Sequence, residues 1–261
     1  MWDFEHTEAG SAFDVSYTLP ARCAAALRYG SADIGIIPAA AYAIIPDLFI
    51  LPGVAIASKQ AVRSILLVSK VPVERIQTVA VDDSSLTSVA LLQILFTKCW
   101  GGERPFTTMA PDVESMLERH DAGLVIGDPA LKVDRSGYFT YDLAAEWISL
   151  TGRPFVFAFW AVRQAALKDL SPTLDLASVF QESRNHGLQE DNLERIASEW
   201  ALRMALSQAD IRSYLLQNIH YYLDAACLDG LRLFYHFAEE YGILPAAPTL
   251  NFLNVAKSLI A

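Results

Sequence analysis

The segment SILLVSKVPVERIQTVAVDDSSLTSVALLQILFTKCWGG, residues 64–102, decides the fold. Its opening, SILLVS, is an almost unbroken apolar run, as in a strand covered on both faces. From Val71 the pattern restarts as a strand (TVAV), a polar turn, and a long helix stopped by Gly101 and Gly102. A strand that runs straight into a second α/β unit is how a chain leaves one lobe for another. Working outward, residues 13–19 (FDVSYTL) alternate with period two, which predicts a strand. Pro20 then opens a helix, PARCAAALRY, that Gly30 closes. Buried-strand patterns follow at IGII before Pro38 and at residues 48–56. In the second unit, residues 111–120 predict a short helix, and GLVIGDPAL reads as strand, turn and helix start. FVFAFWAV, residues 155–162, is a wholly apolar strand that re-enters the first unit. The alternation predicts α/β architecture with a parallel sheet. SILLVS and FVFAFWAV together predict a two-strand hinge between two lobes, residues 1–70 with 155–261 and the inserted residues 71–154. Beyond Arg163 no strand signal recurs. Helix starts at Ser171–Pro172, Asp191–Asn192 and Ser207 with Asp210 predict a helical C-terminal tail ending near residues 242–245.

The 261 residues are 53% hydrophobic and 19% charged, enough for a large core and too apolar for intrinsic disorder. Thirty acidic against 20 basic residues give a net charge of −10, which argues against a broad nucleic-acid footprint. The most apolar stretch, residues 34–57, is interrupted by Pro38, Pro46, Asp47, Pro52 and Gly53, so no membrane span is expected. MWDFEHTEAG has neither the basic nor the apolar region of a signal peptide. The three cysteines, Cys23, Cys99 and Cys227, are scattered and odd in number, which fits a reducing cytoplasm and no thiolate metal site.

The sharpest local signal is Asp82-Asp83-Ser84-Ser85-Leu86-Thr87-Ser88, between a strand and a helix. Helix N-termini carry unpaired N–H groups and partial positive charge, and four hydroxyls there make a site for a carboxylate or phosphate. A single cap needs only one of them. Gly127-Asp128-Pro129 ends another strand. Asp as a cap and Pro at the first helical position explain it locally, while its place at a strand's carboxyl end would face a cleft. Ser58, Lys59 and Arg63 flank the hinge. Arg63 could fork onto a ligand acid or be a solvated loop charge. Residues 38–41 (PAAA) leave room for a ligand or simply pack. The five histidines (His6, His120, His186, His220, His236) show no metal-ligand spacing, and His220 and His236 read as tail-helix residues. No G-x-S-x-G, Walker or G-x-G-x-x-G motif occurs, so no metal or nucleotide cofactor is expected.

Together these blocks resemble the chorismate dehydratase family of menaquinone biosynthesis by the futalosine route. The matching blocks are residues 30–70, 78–92 (TVAVDDSSLTSVALL), 124–131 (LVIGDPAL) and 146–163 (EWISLTGRPFVFAFWAVR). The resemblance implies a type II periplasmic-binding-protein fold and loss of water from chorismate to give 3-[(1-carboxyvinyl)oxy]benzoate, without a cofactor. It implies Ser84, Ser85, Thr87 and Ser88 at the anion site of this dianionic substrate, Gly127 and Asp128 on the opposite wall, and Ser58 near the hinge. Family members usually begin with a strand and Tyr-Leu-Asn ahead of a segment like WDFEH, here residues 2–6. An Asn important for catalysis in the family is therefore expected upstream of Met1, no catalytic residue is assigned within the chain, and the first-lobe sheet is expected to have an open edge or a central gap. Two other functions use related folds: solute binding without catalysis, and synthesis of 1,4-dihydroxy-6-naphthoate. An export signal would favour the first, and the IGDPAL block weighs against the second.

Overall fold

The computed structural model describes residues 1–82, 86–168, 170 and 174–253. α1 (Trp2–His6) lies on the tail, and α2 (Pro20–Tyr29) starts on Pro20 and ends on Gly30 at φ 77°. β1 (Ile34–Pro38), α3 (Ala39–Tyr42) and β2 (Leu48–Ser58) follow. β3 (Ile65–Ser69), β4 (Val79–Val81), α4 (Leu86–Cys99), β5 (Phe106–Thr108), α5 (Val113–Arg119), β6 (Ala122–Ile126), α6 (Asp128–Leu131), β7 (Phe139–Asp142) and α7 (Leu143–Thr151) build the second lobe. β8 (Phe155–Arg163) returns to the first. The tail is α8 (Leu176–Gly187), α9 (Glu190–Met204), α10 (Gln208–Ser213), a π-helical turn (Tyr214–Asn218) and α11 (Ala225–Glu240). None of the described helices is long and apolar enough to cross a membrane.

The first-lobe sheet has the order β1-β8-β2 and is antiparallel throughout. The second has the order β5-β4-β6-β3-β7; β5, β4 and β6 run parallel, whereas β3 pairs antiparallel with both β6 and β7. The expected parallel sheet is thus confined to three strands. The apolar runs that suggested it report burial on both faces, and burial does not encode strand direction. β3, expected from the sequence to belong to the first lobe, pairs inside the second sheet. Residues 59–64 and 152–154 are therefore the two crossings between the sheets.

Residues 13–19 form no strand. Phe13 and Val15 alternate with exposed neighbours because they pack on Phe4 and Phe180, and no strand lies beside them. The helix start expected at Ser171–Pro172 lies outside the described residues, and Asp175 caps α8 instead. Ser207 accepts from the Asp210 N–H, as its spacing predicts. β1 is an edge strand of its sheet, and the Cys23 sulfur of α2 packs closely on Gly35 of β1. On the far side, residues 251–253 add a short stretch to β2, with Ile50 N–H donating to Asn251 and Leu253 N–H to Ile50.

The main core runs from the first lobe into the second through α4, Trp147, Phe155 and Phe234. Leu91, Leu92 and Leu95 on α4 are fully buried, so this helix is a shared wall of both lobes. A smaller cluster of Ala197, Met204 and Ile211 on the tail receives Leu131 of α6, which ties the tail to the second lobe.

Candidate functional site

The sheet order sets the position of the site. β4 and β6 are neighbouring parallel strands, with Val81 opposite Leu124, so the loops after them emerge side by side. β3 enters beside them, with Ile65 opposite Ile126. The carboxyl ends of β4 and β6 thus share one edge with the first crossing, and that edge faces the first lobe. In open α/β sheets this is where ligands bind.

Across this edge the lobes touch. The Thr87 hydroxyl, in the first turn of α4, accepts from the Ala40 N–H at 3.1 Å. Thr87 is 3% and Ser88 4% exposed. Ser84 and Ser85 lie outside the described residues. A cavity of 340 Å³ opens here, lined by Ala40, Ile44, Asp82, Leu86 and Thr108 among others. Its volume falls in the lower part of the ~300–1,000 Å³ span of small-molecule sites. Of the small side chains that follow β1, Ala40 lines this cavity, while Ala39 and Ala41 are almost wholly buried beside it in the chain.

Gly127 and Asp128 are exposed and stand apart from this cavity. Gly127 adopts φ 64°, donates to the Ser64 carbonyl at 2.7 Å, and would present a Cβ to open space. Ser58 is fully buried, and its hydroxyl donates to the Gln60 carbonyl at 2.6 Å in a tight turn. The structure therefore brings Ala40 to the cavity and packs Thr87 against it, buries Ser88 in the same turn of α4, puts Gly127 and Asp128 on the same sheet edge, and sets Ser58 into the hinge turn.

Sequence reasoning missed what fixes the first crossing. The Asp142 carboxylate accepts from the Val62 and Arg63 N–H groups at 3.1 and 2.6 Å, and it also caps α7. Tyr214, from the π-helical turn, donates its hydroxyl to Ser64 at 2.9 Å. Neither residue sits in a motif, and only the fold joins segments so distant in the chain. The one usable signal was Asp142 just before an apolar helix, a cap whose second role is tertiary.

At the tail end of the hinge, Asp224 caps α11 and accepts from Lys59 Nζ at 2.7 Å and His220 Nε2 at 2.9 Å. His220 is not helical: it exchanges backbone hydrogen bonds with Ala57. Ligand atoms of His220, Asp224 and Cys227 lie within 4.8 Å of one another. The donor set does not suit a metal, because the Lys59 ammonium already neutralises the carboxylate. The Cys227 thiol is pushed up to about 12 by burial and the adjacent Asp224, far from the thiolate a metal needs. Burial acts to raise the Asp224 pKa, but the hydrogen bonds from Lys59, the Cys227 N–H and His220 outweigh it, leaving the carboxyl well below its usual range. A depressed folded-state pKa stabilises the fold above the unfolded value, near 4, and that stabilisation is lost as the pH falls through the folded value. Urea midpoints should therefore drop as the pH falls from 5 toward 2, with a shallower slope in Asp224→Asn. Equal slopes would remove Asp224 from the acid response.

A family model described as menaquinone biosynthesis matches residues 1–240. A chorismate dehydratase of Thermus thermophilus is 30% identical over 254 residues, covering 90% of this chain and 89% of that protein. Among solved structures, protein AF1704 of Archaeoglobus fulgidus has a TM-score of 0.68 at 20% identity, covering 88% of this chain and 86% of its own. The periplasmic aliphatic sulphonate binding protein SsuA of Escherichia coli has a TM-score of 0.65 at 16% identity, covering 94% and 82%. The CA3427 gene product of Candida albicans, described as having the generic periplasmic binding protein fold, has a TM-score of 0.59 at 11% identity, covering 98% and 94%. At these identities the solved structures establish the fold, and fold does not fix function.

Proposed function

The chain belongs to the menaquinone biosynthesis family, and from that premise we propose that it is a lyase removing water from chorismate to give 3-[(1-carboxyvinyl)oxy]benzoate. The observation that carries this reading is 30% identity to a chorismate dehydratase along 90% of the chain. The site supports it chemically. Chorismate is a dianion in a protein of charge −10, so it needs local donors that oppose the overall field. The N-terminus of the 14-residue α4 offers backbone N–H groups and a partial positive charge, with Ser84, Ser85, Thr87 and Ser88 clustered around it in sequence. Gly127 and Asp128 form the neighbouring loop on the same edge, and Ser58 holds the turn through which the chain crosses.

In the reaction the ring loses a proton and its C4 hydroxyl, together one water, and becomes aromatic. That gain makes the elimination favourable overall. The protein's work is to hold the ring in one orientation and to stabilise charge developing toward the ring carboxylate as the hydroxyl leaves. An apolar inter-lobe cavity suits both tasks, since fixed donors act more strongly where water is excluded. We place the enzyme in the cytoplasm, where its three unpaired cysteines stay reduced.

Expression in a bacterium that makes menaquinone through this step, and whose own chorismate dehydratase gene is deleted, tests the assignment. Restored menaquinone is the expected result. A well-expressed chain that restores none would count against it.

A further inference from the structure

Arg63 lies in the first crossing and holds φ at 65°, one of three non-glycine residues in the left-handed region among those described. L side chains adopt that region at a cost, and such strain gathers at ligand clamps. Here the surroundings enforce it. The Val62 and Arg63 N–H groups are tied to Asp142, the Ala61 carbonyl accepts from Asn218 at 2.8 Å, and the Ser64 hydroxyl accepts from Tyr214. Gln60 adds a bond to the Gln217 carbonyl. Three of these anchors, Tyr214, Gln217 and Asn218, sit on the π-helical turn, a rare form frequently found at functional sites.

The side chain so placed is half-buried, and its guanidinium makes no hydrogen bond or ion pair among the described residues. Lys59, the other cation of this crossing, is neutralised by Asp224 at 2.7 Å. Burial raises the Tyr214 phenol, and Asp128 and Arg63 act on it in opposite senses, so both charges lie within electrostatic reach of that hydroxyl. No ion pair joins Asp128 to Arg63. In a chain with 30 carboxylates, a half-buried arginine whose guanidinium pairs with none of them is placed to take an anionic ligand.

We propose that Arg63 is the carboxylate-anchoring, specificity-determining residue of the inter-lobe site, taking one carboxylate of a dicarboxylate ligand in fork geometry while the α4 N-terminus takes the other. This rests on the chorismate reading for the identity of the ligand. Guanidinium and carboxylate match in planar, bidentate form, which also fixes the ligand's orientation.

Arg63→Gly is the informative variant, because glycine suits φ 65° and removes the guanidinium without disturbing the loop. Arg63→Asn, which also tolerates the left-handed region, is its companion. Calorimetry would compare wild type and variants with 3-[(1-carboxyvinyl)oxy]benzoate, 3-(vinyloxy)benzoate and 2-phenoxyacrylate, alongside KM for chorismate. The expected result is a thermal midpoint no lower than wild type for Arg63→Gly, with affinity for the dicarboxylate and for one mono-acid down by about 10- to 100-fold. The other mono-acid should bind unchanged. Unaltered dicarboxylate binding, or equal losses on both mono-acids, would overturn the proposal. Should wild type bind these acids through Arg63 yet leave chorismate intact, the reaction assignment falls and the Arg63 role stands. Turnover of chorismate with an unchanged KM in both variants would instead overturn the Arg63 role and leave the reaction assignment standing. A wild type that binds none of the three acids overturns the anchor outright.

Discussion

Gly230→Ala is expected to destabilise the protein by about 3 kcal/mol or more, the size of a severe overpacking defect. Gly230 lies in α11 with an ordinary helical backbone, so alanine's better helix propensity should favour the variant by about 1 kcal/mol. Packing dictates the opposite sign. A Cβ at this position would stand 2.0 Å from the Pro154 carbonyl oxygen and 3.2 Å from its carbon, both backbone atoms that cannot rotate away. Pro154 is part of the second crossing, one residue before β8, and its carbonyl also accepts from the fully buried Trp147 at 3.2 Å. Relieving the clash must therefore shift α11, the crossing, or the Trp147 bond. For a domain of this size, a loss of about 3 kcal/mol corresponds to a fall of roughly 6–12 °C in thermal midpoint. Differential scanning calorimetry would read it. A variant as stable as wild type would mean that α11 does not approach the crossing so closely.

The second large effect concerns activity. Replacing Ser84 and Ser85 together by alanine is expected to lower kcat/KM for chorismate by about 100-fold or more, which corresponds to losing two charge-assisted hydrogen bonds. Thr87 is engaged with Ala40, and Ser88 is 4% exposed, so both are committed to packing between α4 and its neighbours. We therefore propose that, of the four hydroxyls in the motif, Ser84 and Ser85 are the ones that meet the substrate. Thr87→Val supplies the contrast: it should cost about 1 kcal/mol of stability through the lost Ala40 bond, with a smaller effect on KM. Similar kinetics for the double variant and wild type would remove Ser84 and Ser85 from the anion site.

Much of the fold was legible because it is written in local pattern. The two apolar strands that adjoin the crossings, β3 and β8, the Pro20 opening and Gly30 closing of α2, and the Ser207 cap all depend on neighbours within a few residues. Strand direction was not legible, since β3 has the same apolar face whether it runs with β6 or against it. Residues 13–19 misled for a related reason. Period-two burial arises wherever an extended segment lies on a surface, and only a partner strand turns it into a sheet. In the site, the strand–turn–helix units after β4 and β6 were readable, and their adjacency follows once the strand order is known. Asp142, Tyr214 and Asn218 were not readable, because their roles come from contacts between segments up to 157 positions apart. Arg63 was visible as a basic residue near the hinge. Its left-handed backbone and unpaired guanidinium became apparent only in three dimensions.

The most direct measurement is turnover of chorismate by the purified chain, with the product identified by mass spectrometry and its rate compared with the protein-free background. The expected product is lighter than chorismate by one water and carries the aromatic protons of 3-[(1-carboxyvinyl)oxy]benzoate. It should form in proportion to protein and be lost in the Ser84→Ala, Ser85→Ala double variant. Chorismate that binds to the folded protein yet disappears no faster than in its absence would contradict the dehydratase assignment and leave a binding protein built on the same two lobes.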